Sequence, residues 1–99
     1  MNTQPKADER AEDPVALCIL DMVAAGKSYS PQEVAQAFYR DHFKPGMPSD
    51  GWRRYLTAVR QQAINLARRG LIEITRKGEV VDPEKFKGVI RLRRPTAGE

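Results

Sequence analysis

The chain has little of the material from which catalytic and metal centres are made. Its 99 residues include one cysteine, Cys18, and one histidine, His42. A single thiol can form neither an intramolecular disulfide nor a thiolate cluster. His42 has no metal partners at ligand spacing. Neither a Gly-x-Ser-x-Gly turn nor a phosphate-cradling glycine loop occurs. Nothing approaches the roughly 18 consecutive apolar residues of a membrane span. Residues 1–13 have no apolar central segment and are not expected to act as a secretory signal. From these absences we expect a cytoplasmic protein that is not an enzyme. No catalytic residue, metal or cofactor is expected, and neither a membrane association nor a small-molecule substrate is evident.

Charge, by contrast, is plentiful and uneven. Charged residues make up 30% of the chain and the net charge is +4. Between Trp52 and Arg94 stand twelve basic and four acidic residues, a net of +8, whereas residues 1–51 carry −3. A basic half suggests a polyanionic partner. The alternative is a solubilising surface, because charge asymmetry is common without binding. The length suffices for one domain and one core. Residues 1–12 are polar, mixed in charge and aperiodic, which predicts a disordered tail. The domain is expected over 13–94, followed by a flexible end at 95–99.

Local signals divide the domain into elements. Asp13 and Pro14 open a first helix, with Val15, Cys18, Ile19, Met22 and Val23 at helical spacing and Gly26 as its stop. Residues 27–29 form a connector or a short strand. Ser30-Pro31-Gln32-Glu33 is a capping box for a second helix that runs to about His42. Its apolar side holds Val34, Ala37 and Phe38, with Asp41 a further candidate. Two prolines and a glycine in 44–48 impose a loop. Ser49 is expected to cap a third and longest helix ending at Gly70. Its apolar stripe is Trp52, Tyr55, Leu56, Val59, Ala63, Leu66 and Ala67. Opposite lie Arg53, Thr57, Arg60, Gln61, Asn65 and Arg68, with Ile64 among them. Alternation over 71–75 predicts a strand with Ile72 and Ile74 inward. Residues 76–79 read as a turn, 80–81 as a returning strand, and 82–86 as one helical turn capped by Asp82. A last strand is expected at 89–93, with Ile90 and Leu92 on one face. The predicted fold is therefore α+β and helix-rich: a winged helix, with a three-helix helix-turn-helix core and a C-terminal β-hairpin wing.

Over roughly Val15 to Arg93 the chain resembles an uncharacterised family of small bacterial winged-helix proteins. The resemblance rests on Ser30-Pro31-Gln32-Glu33-Val34-Ala35, on Trp52-Arg53 with Val59-Arg60 and Ala63, and on Gly70-Leu71-Ile72-Glu73-Ile74. It extends to Lys77-Gly78, Val81-Asp82-Pro83 and Gly88-Val89-Ile90-Arg91-Leu92. Where the family often has a cysteine and an arginine, this chain has Ser30 and Gln36. Those departures argue against a thiol role and remove one basic group. The resemblance implies a fold and no catalytic residues.

In helix-turn-helix proteins the second helix of the motif lies in the major groove, which here would be the third helix of the chain. Arginine can pair with guanine, and glutamine or asparagine with adenine. Arg53, Thr57, Arg60 and Gln61 are therefore the candidate base-reading group, and an exposed Ile64 would meet a thymine methyl. Arg54, Arg68, Arg69, Lys77 and Arg91 are candidates for phosphate contact, as are the neighbouring wing cations. Glu79, Asp82 and Glu84 are interleaved with the wing cations and would repel phosphates. Two partners remain open at this point. One is nucleic acid, expected to be duplex DNA, in a setting of transcriptional regulation. The other is a protein, with the domain serving as an adaptor through a patch that includes Ile64. His42, Cys18, Trp52 and Tyr55 are read as structural.

Overall fold

A computed structural model describes residues 13–42 and 44–96. The tail expected over 1–12 lies outside the described residues, as do 97–99 of the end expected to be flexible. Helix α1 spans Pro14–Val23, and the Asp13 carboxylate accepts from the Val15 amide at 2.7 Å. Helix α2 spans Pro31–Asp41. Its capping box is complete: Ser30 Oγ accepts from the Glu33 amide, while the Ser30 amide donates to the Glu33 carboxylate at 2.8 Å. Helix α3 spans Leu56–Arg68. It ends in a Schellman pattern, with the Gly70 amide on the Ala67 carbonyl and the Leu71 amide on the Leu66 carbonyl.

Three strands follow: β1 (Glu73–Arg76), β2 (Glu79–Val80) and β3 (Arg91–Arg93). They form an antiparallel sheet in the order β2-β1-β3. Arg76 pairs with Glu79 across a two-residue turn in which Lys77 and Gly78 both have positive φ, +56° and +85°. That is the primed turn whose twist suits a hairpin. On the far side of β3, Tyr29 exchanges both backbone hydrogen bonds with Leu92, at 2.8 and 2.7 Å. The expected connector thus supplies a one-residue strand. Among the described residues, three helices and a three-stranded sheet make a helix-rich α+β domain, a layout consistent with a winged helix.

The core draws on every layer. Ile19 and Val23 from α1 meet Val34 from α2, Val59 and Leu66 from α3, and Ile72, Ile74, Ile90 and Leu92 from the sheet region. Several sequence expectations need correction. Asp41 is exposed, and Tyr39 is the buried residue of the last turn of α2. Tyr39 is tolerated inside because its hydroxyl donates to the Pro48 carbonyl. Ser49 does not cap the third helix. A 3₁₀ helix, Gly51–Tyr55, precedes α3, and no side chain caps it. The cause is a close approach: a Cβ at Gly51 would overlap the Tyr39 hydroxyl. The Pro48 carbonyl also accepts from the Gly51 amide, so the chain starts its helix in tight turns against that ring. Thr75, expected to face outward, is only 4% exposed, and its hydroxyl turns to the Arg91 carbonyl. The last strand starts at Arg91, and Val89 is 82% exposed. Beyond it, the Thr96 amide and hydroxyl both donate to Glu73.

Candidate nucleic-acid interface

The apolar stripe of the third helix sets which residues face outward. Val59, Ala63 and Leu66 are fully buried, so the side chains half a turn away must point from the domain. Arg53, Arg54, Thr57 and Gln61 are all exposed. They rise from the 3₁₀ helix and the first two turns of α3 as one polar, basic strip. The Arg53 guanidinium lies over the Trp52 ring, 5.2 Å from its centroid. The Arg54 and Gln61 side chains form no hydrogen bond or ion pair with another described residue.

Lower on the same helix the situation changes. The segment after β2 turns back across α3. Asp82 starts the turn, its carboxylate accepting from the Glu84 amide at 2.8 Å. Glu84 then takes the Arg68 guanidinium in a two-pronged grip, Nε to one oxygen and Nη2 to the other at 2.8 Å. Phe86 reaches Arg60, whose guanidinium sits 5.9 Å from the ring centroid. Midway between these anchors, one turn from each, is Ile64. It is half-buried and packed against the core, as is Phe86. The expected exposed Ile64, and with it the thymine-methyl contact, is therefore corrected. The apolar residue on the polar side is half-buried against the core, between the two arginines that the strap engages. Arg68 lowers the Glu84 carboxyl below its usual range, mainly by hydrogen bonding against a smaller opposing loss of solvation.

The remaining candidates are scattered. Arg91 faces the start of α2, donating to Ser28 Oγ at 2.8 Å, to the Ser28 carbonyl at 2.9 Å and to Glu33 at 3.3 Å. Arg93 is paired with Glu73 at 2.9 Å. Loss of solvent pushes the Glu73 carboxyl up, but the Arg93 and Thr96 hydrogen bonds together bring it below the usual value. Arg69 reaches Asn65 at 3.2 Å. Lys77 is exposed at the β1–β2 turn and has no hydrogen bond or ion pair to a described residue. Its backbone lies in a region that costs a side-chain-bearing residue roughly 1 kcal/mol, and Asn, Asp or Gly would suit it better. Of the nine residues named for contact, Arg54, Thr57, Gln61 and Lys77 stand clear. Arg53 and Arg60 each lie over an aromatic ring, Arg53 exposed and Arg60 half-buried. Arg68, Arg69 and Arg91 are hydrogen-bonded within the domain.

Sequence reading missed Glu84, Phe86, Ser28 and Glu33 as the partners that engage these arginines. One signal was available: Phe86 is a lone aromatic in a polar run, Asp82 to Lys87, and needs an apolar surface. His42 Nδ1 lies 2.7 Å from the Phe38 carbonyl, its ring on Phe38. Cys18 is partly buried with its sulfur 3.9 Å from that of Met22, and burial, then Asp41 and Asp21, raise its thiol pKa.

The sequence profile of a family described as "Protein of unknown function (DUF3253)" matches residues 9–95. The chain belongs to this family. The matched span takes in α1 through β3, so the domain, the strap and the exposed strip are all within it. No curated protein matches the chain. Among the described residues of this family member, no helix is long and apolar enough to cross a membrane.

Proposed function

We propose that the domain is a winged-helix nucleic-acid-binding protein for duplex DNA, working in the bacterial cytoplasm in transcriptional regulation. The observation that carries this reading is the exposed strip of Arg53, Arg54, Thr57 and Gln61 on the helix that follows α2, opposite a fully buried stripe. Arginine and glutamine at the N-terminal end of a recognition helix match the donors needed at guanine and adenine edges. Arg53 and Gln61 would read bases, Thr57 would fit beside them, and Arg54 would hold a phosphate. Lys77 would reach a second phosphate from the hairpin. It is a lysine at a turn position whose backbone prefers other residues, so the turn alone does not account for its charge. Arg60, Arg68 and Arg91 have structural duties and are left out of the base-reading set. No catalytic step is assigned.

The test is fluorescence anisotropy of a labelled random duplex, titrated with protein at about 50 and 200 mM salt. Neutralising several phosphates predicts an affinity loss of at least tenfold across that range, and a further loss in Arg53→Ala/Arg54→Ala. Absence of binding even at low salt would overturn the proposal and direct attention to a protein partner.

A further inference from the structure

Beside the strip, on the other flank of the 3₁₀ helix, lies a groove of about 440 Å³ lined by Gln36, Tyr39, Arg40, Ser49 and Trp52. Its size falls within the usual range for small-molecule sites, roughly 300–1,000 Å³. Its floor is fixed. Tyr39 is buried, its hydroxyl is tied to the Pro48 carbonyl, and its ring is pressed on Gly51. Trp52 is half-buried rather than closed into the core. Gln36 and Arg40, one turn apart on α2, form the opposite wall. The Arg40 side chain is exposed and has no hydrogen bond or ion pair to another described residue. The groove therefore offers an indole wall, a rigid aromatic floor, an amide and an uncommitted guanidinium.

A second, smaller groove of about 230 Å³ shares Gln36 and Arg40 but is lined by Glu33 as well. Its carboxylate opposes an anion there, although Glu33 also accepts from Ser30 and Arg91. Among the described residues, none that lines the Trp52 side is acidic. Charge thus sorts the two grooves, and an anion belongs on the Trp52 side.

We infer that the groove between α2 and the 3₁₀ helix is a binding site for a small planar aromatic carboxylate. The ring lies against Trp52 above Tyr39, and the carboxylate takes Arg40 with the Gln36 amide beside it. Arginine is suited to this because its planar fork matches a carboxylate. None of the five residues belongs to the exposed strip, although the Arg53 guanidinium of that strip lies over the Trp52 ring.

Trp52 is the sole tryptophan, so in the absence of nucleic acid its fluorescence reports on this groove and on the neighbouring Arg53. The experiment titrates the full chain with phenylacetate and follows Trp52 emission. Two comparison probes are 2-phenylethanol, which lacks the charge, and cyclohexylacetate, which lacks the flat ring. A saturable change with a Kd of about 0.1–1 mM is expected for phenylacetate, as befits so small a ligand, with at least fivefold weaker binding of both comparison probes. Arg40→Gln should weaken phenylacetate binding about tenfold with an unchanged far-ultraviolet spectrum, since the side chain is exposed. Lys27→Gln, the same charge loss at an exposed position of the connector between α1 and α2, should leave it unchanged. No saturable change up to about 10 mM, equal binding of the three probes, or equal effects of the two substitutions would overturn the assignment.

Discussion

The outward face of the third helix is two surfaces side by side. One half, the row of Arg53, Arg54, Thr57 and Gln61, presents side chains to solvent with few commitments. The other half, the row of Arg60, Ile64 and Arg68, carries residues of the same types, yet Arg68 is gripped by Glu84, Arg60 lies against Phe86, and Ile64 is half-buried between them. On a helical projection the two halves look alike. What separates them is a strap that arrives sixteen residues after Arg68. A basic residue is a candidate for binding when the fold leaves it unsatisfied, and helix periodicity alone does not report that.

This comparison can be broken most directly by paired substitutions. Arg53→Ala/Arg54→Ala should lower duplex affinity by about 10- to 100-fold at low salt, the range expected for one base contact and one phosphate contact. Arg60→Ala/Arg68→Ala should lower it by about threefold at most, because distant charges are screened. Equal losses in anisotropy titrations would erase the distinction between the halves. Stability gives the reverse ordering. Ile64→Ala should cost about 1–2 kcal/mol in urea denaturation, and Phe86→Ala a similar amount, since each withdraws a half-buried apolar group. Thr57→Ala should stay within about 0.5 kcal/mol, as exposed positions do. A Phe86→Ala variant as stable as the parent would mean that the strap is not packed in solution.

The strap can also be released without a cavity. Glu84→Gln removes the carboxylate from Arg68 and should steepen the logarithmic salt dependence of duplex binding by about 0.9, one phosphate's worth. An unchanged slope would show that Arg68 stays out of reach of the backbone even when freed. The smallest effect expected is with pH. Glu84 and Glu73 both have carboxyls lowered in the folded protein from a usual value of 4.5. A lowered folded pKa adds stability above the unfolded pKa, and that stability is lost as pH falls through the folded one. Denaturation midpoints should therefore hold steady at neutral pH and fall below about pH 4.5. In Glu73→Gln the fall should be shallower; an identical acid profile would show that the Arg93 and Thr96 contacts do not perturb that carboxyl.

The parts of this domain that a sequence can display are those decided within a few residues. Asp13 and Ser30 cap their helices because their partners, Val15 and Glu33, are two and three positions away. The Lys77-Gly78 turn and the buried stripe of α3 were visible for the same reason. The 3₁₀ start was hidden because it follows from Tyr39 meeting Gly51, a contact between separate helices. Thr75 was misread because alternation assumes one solvated face, and its neighbours on both flanking strands deny it one. The candidate site was half legible. Residue types and helix face came from periodicity, while occupancy by Glu84, Phe86, Ser28 and Glu33 depended on tertiary folding.

The bonds that Arg91 and Leu92 make to Ser28, Tyr29 and Glu33 join parts of the chain about sixty residues apart. During synthesis, at roughly 5–20 residues per second, Ser28 leaves the ribosome about 3–13 s before Arg91 does. In that interval the first two helices have lost the ribosome's shelter and lack the strand that completes their core. The domain cannot mature from its N-terminus onward. It closes in one late event, and a newborn chain presents the apolar sides of α1 and α2 to the cell's chaperones until Leu92 arrives.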